Sequence, residues 1–486
     1  MPGNKKAEPV VIPKARRTKD ARTESATNRW AAILGCCVCV SLIVFIGVGV
    51  ASVDADTRDR ILRGEATVYD VFASWRETTQ RWDGLWGNMT ETEASKPVGV
   101  DPEMEPRDGD FAGTTVASAG HHASGRTPES WGIDRVDQHN LPLDGEYTSE
   151  FAGRGVHVFV LDTGVRSDHD EFGDRIETGA NCLARRGYCV PDTNPNVDSW
   201  DRQGHGTHVA CTVASTLYGV SDSVMVHPVK VLGDDGTGSV SQVIAGMEWV
   251  SQSVVSNAWQ GKSVAVMSLG AEADATINAA AESLSDTGVS VVVAAGNNAA
   301  DACRYSPSSA ARDSDVISVG ATDARDTLVD FSNYGPCVTV LAPGAAINSC
   351  DIAHMTSDTV MSGTSMAAPH VAGVVAQILE RGLLQDKLLT PAEVKAELLD
   401  LATKGEAKLT AKAVASGTEN VLLATPNAMV IDREMSMTIV SGASLICLVF
   451  SACSMCVCGG GGSKEKAAKT KKWGTTGKFD KHAAMV

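Results

Sequence analysis

The sequence predicts an α/β domain whose parallel sheet is covered by helices on both faces, with a transmembrane helix on either side of the domain. In the middle of the chain, short apolar runs alternate with helical stretches, and strands that are apolar throughout are typical of a parallel sheet buried on both faces. Two uncharged stretches outside this region are also long enough to cross a bilayer as helices. The apolar runs are VHVFVLD (156–162), VMVHPVKVL (224–232), SVAVMSL (263–269), VSVVVAA (289–295) and DVISVGA (315–321).

The charge distribution divides the chain into the same parts. Its 486 residues carry a formal net charge of −17. Residues 1–29 contain eight Lys and Arg against three acids, and residues 459–486 contain seven against two, so each tail is +5 and the rest is −27. The positive-inside rule therefore predicts that both tails are cytoplasmic and that the acidic middle lies outside the cell or in a lumen.

We predict membrane helices at 30–53 and 435–458. The small residues Ala51, Ser52 and Val53 leave a cleaved signal peptide open as an alternative for the first stretch. Its apolar core is longer than the ~7 to 15 residues of a signal peptide, which favours a span. The second stretch is followed by 28 mostly hydrophilic residues, which argues against a lipid-anchor signal.

The chain between the two spans falls into a membrane-proximal segment at 54–129, a globular domain at 130–427 and a short linker at 428–434. Apolar residues between 68 and 86 recur every three or four positions, which predicts an amphipathic helix. From residue 96 to about residue 128, Pro, Gly, Ser and acidic residues predominate without periodicity. This composition predicts a linker.

An N-glycosylation sequence and the cysteines agree with an external location of the middle region. Asn88 begins the N-glycosylation acceptor sequence NMT. An oxidising compartment would allow disulfide bonds. Two pairs of cysteines are candidates for such bonds: Cys182 with Cys189, and Cys303 with Cys337. Cys211 and Cys350 have no evident partner in the sequence.

Three residues that could build an acyl-transfer site lie at the ends of predicted elements. Asp162 closes the first strand in VLDTGV, His205 lies between glycines in DRQGHGTHVACTVAS, and Ser365 lies in SGTSMAAPHVAG. Proline is tolerated only near a helix start, so Pro369 predicts that Ser365 lies in a first turn with its N–H pointing outwards, where it could stabilise an oxyanion. Singly, these residues also fit a turn, a loop and a helix cap. Together they supply a nucleophile, its base and an orienting carboxylate.

The blocks VLDTGV, GHGTHVA, AAGNN and SGTSMAAPHVAG resemble the signature blocks of the subtilisin-like serine proteases, and the order Asp, His, Ser is the one that this family uses. The resemblance extends from about residue 130 to 427, and AAGNNAADACRYSP and DFSNYGPCV are most similar to the proteinase K branch. It implies a subtilisin-like fold in which Asp162 orients His205, His205 acts as general base and then acid, and Ser365 forms the acyl-enzyme. Asn297 would donate its amide to the oxyanion.

The same resemblance implies that a peptide substrate binds by strand addition. Ala271 stands where relatives have a second glycine, so we expect only a broad preference for apolar or aromatic residues. Ordinary sheet packing would also explain the positions that match substrate-binding residues. These positions are Ser268, Leu269 and Gly270 on one edge, Gly238 on the opposite edge, and Ala294, Ala295 and Gly296 in a wall of the first specificity pocket.

Two departures from the family pattern concern metals and maturation. Thr339 stands where relatives of proteinase K have a calcium-binding aspartate. We therefore predict no metal there, although a structural calcium ion elsewhere stays open, with Asp170 and Glu171 as alternative ligands or merely solvated carboxylates. Residues 54–129 lack the alternating strands and helices of the family's inhibitory propeptide. They are either a stalk or a divergent propeptide, and we expect cleavage near residues 120–130.

The sequence thus predicts a membrane-anchored serine endopeptidase that requires no cofactor for catalysis. The alternative is a catalytically silent adhesion or receptor ectodomain on the same scaffold, because fold alone does not establish activity. The residues of the motifs HGTHVA and SGTSMAAP disfavour a kexin-like processing enzyme. The expected partners are polypeptide substrates and a lipid bilayer, and a nucleic acid is not expected. No feature of the sequence indicates an oligomeric state.

Overall fold

The structure is a computed structural model that describes residues 81–82, 84–87, 89–100, 126–183, 188–194 and 198–426. The predicted membrane helices, both basic tails and the acceptor Asn88 lie outside the described residues. Within the described ranges, no helix combines the length and the apolar composition that a membrane span requires. The membrane helices therefore stay predictions.

A ten-stranded sheet runs through the described part of the domain, in the order β15-β16-β12-β11-β9-β7-β2-β5-β3-β4. The strands between β16 and β3 are parallel, whereas β15 and β4 pair antiparallel with their neighbours. The sheet is therefore mixed, and the prediction of a parallel sheet was wrong at both edges. The strands are β1 (Pro97–Gly99), β2 (His157–Asp162), β3 (Ala180–Asn181), β4 (Val190–Pro191), β5 (Met225–Lys230), β6 (Thr237–Ser239), β7 (Ser263–Met267), β8 (Ala271–Glu272), β9 (Val289–Ala294), β10 (Tyr305–Ser306), β11 (Ile317–Thr322), β12 (Val340–Pro343), β13 (Ile347–Cys350), β14 (Asp358–Met361), β15 (Thr403–Lys404) and β16 (Val421–Leu422).

The five predicted apolar strands correspond to β2, β5, β7, β9 and β11, with ends that differ by at most two residues. Sequence reasoning missed β12, which is four residues long and ends at Pro343. A run of that length next to a proline and a glycine is not distinguishable from a loop by periodicity.

Helices cover both faces of the sheet because its strands are apolar on both sides. Val158 and Val160 of β2 belong to one apolar cluster, with the helices at 205–214 and 364–384. Phe159 and Leu161 belong to the opposite cluster, with the helices at 240–257 and 275–286. All four side chains are fully buried. This arrangement confirms the predicted layers. The helices are α1 (Glu91–Ala94), α2 (Trp131–Val136), α3 (His205–Ala214), α4 (Val240–Asn257), α5 (Ala275–Asp286), α6 (Thr364–Leu384), α7 (Pro391–Leu401) and α8 (Ala411–Ala415).

The described residues between 81 and 100 pack against α4 and the start of α5. Residues 84–87 are helical, and Trp86 Nε1 donates to Glu248 Oε2 at 2.6 Å. Lys96 Nζ donates to Asp274 Oδ2 at 2.6 Å, just before α5. The chain then enters β1, where composition predicted a linker. The strand forms there because its backbone hydrogen bonds are supplied by neighbouring strands rather than by a pattern in its own sequence.

Candidate active site

Asp162 and His205 are hydrogen-bonded to each other at the carboxyl end of the sheet. Asp162 is the last residue of β2, and its carbonyl accepts the amides of Val231 and Leu232 beyond β5 at 3.0 and 3.1 Å. Asp162 Oδ1 lies 2.8 Å from His205 Nδ1, and both side chains are 1% exposed. The carboxylate keeps a proton on Nδ1, which leaves Nε2 as the basic nitrogen of the imidazole.

The backbone approaches closely where α3 begins. Gly204 precedes the helix with φ +110°, a left-handed conformation that side chains disfavour. A Cβ at Gly206 would overlap the carbonyl oxygen of Gly164. These glycines therefore let the first turn of α3 lie directly against the end of β2, which brings the imidazole to the carboxylate.

Ser365 lies in the first turn of α6, as predicted, and is 2% exposed. Pro369 has no N–H, so it cannot donate to the carbonyl oxygen of Ser365 four residues earlier. The hydroxyl of Ser268 donates to that oxygen instead, at 2.8 Å. A residue that we expected to bind substrate thus also holds the backbone of Ser365. Helices α3 and α6, which begin at the imidazole and the serine, pack against each other.

Asn297 lies next to the turn that carries Ser365. Its Oδ1 accepts from both the amide and the hydroxyl of Thr364, at 2.9 and 3.0 Å. Because both groups of Thr364 donate hydrogen bonds, the atom that they contact must be the carboxamide oxygen. The Nδ2 atom of Asn297 therefore points away from these two donors. A Cβ at Gly363 would lie 3.1 Å from Nδ2, so the amide nitrogen faces the backbone just before Ser365. This is the position from which it could donate to an oxyanion.

The two predicted edges of the substrate cleft lie on either side of β1. Val98 pairs antiparallel with Gly238 of β6, and Val100 N donates to Gly236 O at 3.2 Å. On the opposite side, Gly99 N donates to Gly270 O at 3.3 Å and Gly270 N donates to Gly99 O at 3.0 Å. The chain's own segment therefore occupies the place between the edges as an extended strand.

The remaining predicted substrate residues lie next to Gly270 in the chain or at the end of β9. Leu269 is buried beside Gly270, and Ala294 and Ala295 are buried at the end of β9. Ala295 N donates to Val319 O at 3.0 Å, so its backbone belongs to the sheet. Gly296 N donates to the Thr364 hydroxyl at 3.0 Å. The wall is thus attached to the helix that carries Ser365.

Asp201 is a buried residue of the site that sequence reasoning missed. Its Oδ1 accepts from the Thr163 hydroxyl and from the amides of Gln203 and Gly204, each at 2.9 Å. Its Oδ2 accepts from the amide and hydroxyl of Thr207 at 2.9 and 2.6 Å. This carboxylate joins the residue after Asp162 to both sides of His205. Its signal in the sequence, an aspartate before a glycine loop, also fits an ordinary turn.

Two further histidines are buried near the site. Burial, with a smaller contribution from the nearby His205, lowers the pKa of His208 to about 3. Burial likewise lowers the pKa of His370 to about 4, although its contact with the Met366 carbonyl partly opposes this. Both imidazoles are therefore neutral at neutral pH. They therefore add no positive charge next to the Asp162–His205 pair.

The structure contains disulfide bonds at both predicted pairs, Cys182–Cys189 and Cys303–Cys337. Cys211 and Cys350, which have no evident partner in the sequence, also form a disulfide bond. They are 139 residues apart and meet because β13 packs on α3, where the Thr212 hydroxyl donates to Ser349 Oγ at 3.1 Å. Only the fold brings these two thiols together.

Among the described residues, one group has the spacing of metal ligands: His169, Cys211 and Cys350. Its two sulfurs form the disulfide, so they are not available as thiolates. Asp170 and Glu171 form a short 3₁₀ turn with Phe172, and the Glu171 carboxylate accepts the amide of Leu217 at 2.8 Å. That contact gives Glu171 a structural role in the loop that follows α3.

Comparisons with known proteins agree with this geometry. The model of the subtilase family matches residues 153–417. The chain is 42% identical over 301 residues to an extracellular serine proteinase of Thermus sp. (strain Rt41A), which covers 62% of this chain and 67% of that protein. It is 42% identical over 283 residues to alkaline serine exoprotease A of Vibrio alginolyticus, covering 58% of this chain and only 48% of that protein. The crystal structure of a cold adapted subtilisin-like serine proteinase superposes with a TM-score of 0.55 at 38% identity, over 62% of this chain and all of that one.

Proposed function

The chain belongs to the subtilase family of serine proteases, and on that premise we propose that it is a membrane-anchored serine endopeptidase. Ser365 Oγ attacks the carbonyl carbon of the scissile peptide bond while His205 Nε2 takes its proton. The oxyanion accepts from the Ser365 N–H and Asn297 Nδ2. His205 then protonates the leaving amine, and water hydrolyses the acyl-enzyme by the same steps in reverse order.

One observation carries the proposal more than any other: the bonded pair Asp162–His205 lies beside a cleft whose two edges already hold an extended peptide. A peptide that adds as a strand between Gly238 and Gly270 exchanges backbone hydrogen bonds that do not depend on its side chains. Specificity must then come from pockets. The apolar wall at Ala294 and Ala295 supports a preference for apolar or aromatic residues.

We further propose that the cleft is closed by the segment at 97–100 until the chain is cut. Val98 is 2% exposed, and Gly99 makes the pair of hydrogen bonds that a substrate would need. A substrate must displace this strand before it can bind. The interpretation of residues 54–129 as a divergent propeptide is therefore preferred over a stalk, with cleavage near residues 120–130.

For location, we propose that helices at 30–53 and 435–458 anchor the chain and that the catalytic domain lies outside the cell or in a lumen. The basic tails support this orientation, and the three disulfide bonds support an oxidising compartment. Alkaline carbonate extraction should leave the full chain in the membrane pellet. Glycosidase treatment should shift the wild type but not Asn88→Gln, which tests the side of the membrane.

A fluorophosphonate probe tests the activity, because it reacts only with an activated serine. The full chain should be labelled, and both Ser365→Ala and His205→Ala should abolish the labelling. A second form carries a site for a sequence-specific protease between residues 101 and 125, and cutting it should increase labelling if the cleft segment inhibits. If folded protein is not labelled before or after the cut, the catalytically silent ectodomain is the better description.

The cleft segment has its own test. Gly99→Pro removes the N–H that donates to Gly270 O, and should raise hydrolysis of a small peptide substrate by the uncut chain. Glu91→Pro is the matched control, because it places a proline at the first position of α1, where proline is tolerated, and has no part in the strand pairing. Equal rates for uncut wild type and Gly99→Pro, with active cut enzyme, would reject inhibition by this strand while leaving the endopeptidase intact.

A further inference from the structure

Lys395 contacts a set of oxygen atoms that otherwise suit a metal ion. It projects from α7 onto the turn before β11, where Nζ donates to the carbonyl oxygens of Ala311, Ser314 and Val316 at 3.0, 2.8 and 3.0 Å. A lysine ammonium has three donors and no acceptor. Each of its donors therefore has one backbone carbonyl, and the three carbonyls converge on a single positive charge.

The helix positions this ammonium firmly. The Thr390 hydroxyl accepts the amide of Glu393 at 3.3 Å, and Glu393 Oε2 accepts the amide of Thr390 at 2.8 Å, which is a capping box with Pro391 in the first turn. Lys395 follows within the next turn. Burial lowers the pKa of its ammonium, whereas the nearby Asp315 raises it. The Asp315 carboxylate thus helps to keep Lys395 protonated, so that its ammonium can donate to the three carbonyl oxygens.

The calcium site implied by the likeness to proteinase K does not fit these residues. Thr339, which stands in place of the calcium-binding aspartate, is neutral, and its Oγ1 accepts the amide of Ser318 at 3.1 Å. Thr339, Ala311 and Lys395 line one cavity of about 350 Å³. Calcium takes six to eight oxygen ligands, with carboxylates among them. Here the aspartate is missing and a positive charge already lies against three carbonyl oxygens.

We propose that the Lys395 ammonium replaces a metal ion in this part of the fold, as a cation attached to the chain. It holds the turn at 311–316 immediately before β11. Val319 of that strand pairs with Ala294 of β9, next to the wall of the candidate specificity pocket. The ammonium therefore stabilises the strand that supports this wall without any dependence on calcium. The inference does not rest on the proposed protease activity.

Hydrogen exchange of the full chain, in a Ser365→Ala background that prevents self-digestion, tests the proposal. In the presence of Lys395, a calcium chelator should leave the exchange of amides at 311–317 unchanged. Lys395→Ala should accelerate their exchange at least tenfold. Lys408→Ala is the matched control, because the Lys408 ammonium also donates to a backbone carbonyl, that of Arg325 at 2.9 Å, but makes no contact with this turn, and it should leave these amides unchanged.

Restoring a calcium site at this position gives a second test of the proposal. Lys395→Ala combined with Thr339→Asp should bind one more calcium ion per chain than the parent by equilibrium dialysis, and calcium should slow exchange at 311–317 in this variant. Thr339→Asp alone should gain no ion, because Lys395 still occupies the carbonyls. Faster exchange of the parent at 311–317 on chelation would overturn the proposal, as would unchanged exchange in Lys395→Ala. Hydrogen exchange of Lys395→Ala alone tests the proposal even if the variant that combines it with Thr339→Asp does not fold.

Discussion

Thr364 donates both its amide and its hydroxyl to Oδ1 of Asn297, at 2.9 and 3.0 Å. The residue before Ser365 thereby orients the carboxamide whose nitrogen faces the same turn. Removing Asn297 should remove an oxyanion donor, and such a loss costs about 10² to 10³ in kcat, a magnitude taken from a relative in this family. Asn297→Ala should therefore lower kcat by that factor with little change in KM.

Thr364 is predicted to be a positioning residue. Thr364→Val keeps the shape but removes the hydroxyl that donates to Asn297 and accepts the amide of Gly296. We expect kcat to fall by about fivefold, in line with a hydrogen bond worth about 1 kcal/mol. KM should not change, and Thr364→Ser should restore kcat. A purely structural role would instead lower the fraction of folded enzyme, measured by active-site titration, and leave kcat per titrated site unchanged.

Asp162→Asn should lower kcat by roughly 10⁴-fold, as the same change does in another serine protease. An amide in place of the carboxylate can donate to His205 Nδ1, which would put the imidazole proton on Nε2, where the base is needed. Steady-state hydrolysis of a chromogenic peptide by the cut enzyme measures the loss. A variant that retains more than a tenth of wild-type activity would mean that Asp162 does not orient the imidazole.

Asp201→Asn should destabilise the domain by about 3 kcal/mol, because a buried carboxylate with several donors is replaced by a group that accepts fewer of them. The free energy of unfolding in urea, measured in the Ser365→Ala background, gives the value. Asp198→Asn is the control, since Asp198 accepts the amides of Thr193 and Asn194 on the same loop but is only half-buried. Its cost should stay below about 1 kcal/mol.

The contrast between Asp162 and Asp201 shows what the sequence could predict. Apolar runs located β2 and its neighbours, and family blocks located Asp162, because both signals are local. Asp201, Lys395 and β1 carry no such signal, since their partners are mostly backbone groups that only the folded chain brings close, with the hydroxyls of Thr163 and Thr207 added at Asp201. Lys395 meets carbonyl oxygens almost 80 residues away, at Val316. No side-chain pattern predicts a site whose ligands belong to the main chain.

The disulfide Cys211–Cys350 should contribute more stability than Cys182–Cys189. Their closed loops differ in sequence separation, 139 against 7 residues, and loop entropy predicts about 5 and about 2 kcal/mol respectively. Replacing both cysteines of each pair with serine, in the Ser365→Ala background, compares the two by urea unfolding. If removal of the short loop costs as much as removal of the long one, loop entropy does not explain the stabilisation.

His157 and His227 should make the domain sensitive to acid. His157 Nδ1 lies 3.0 Å from His227 Nε2, and His227 Nδ1 donates to the Thr178 carbonyl at 2.8 Å. Trp259 stacks on His157 with ring centroids 3.8 Å apart. Burial lowers the pKa of each histidine from its ordinary 6.5 to about 4, and for His157 the charges of His227 and Lys262 contribute to that shift.

Since these pKa values are lower in the folded protein than in the unfolded chain, the unfolded chain binds more protons between pH 6.5 and pH 4. Stability is therefore complete above about pH 6.5 and is lost as the pH falls towards 4, by up to about 1.4 kcal/mol per pH unit for each such histidine. Replacing both His157 and His227 with glutamine, in the Ser365→Ala background, should flatten the plot of unfolding free energy against pH across this window. The buried His208 and His370 should leave a residual slope. His354→Gln, at an exposed loop position, should keep the parental slope, and an equal slope in the double variant would show that the pair does not control the acid response.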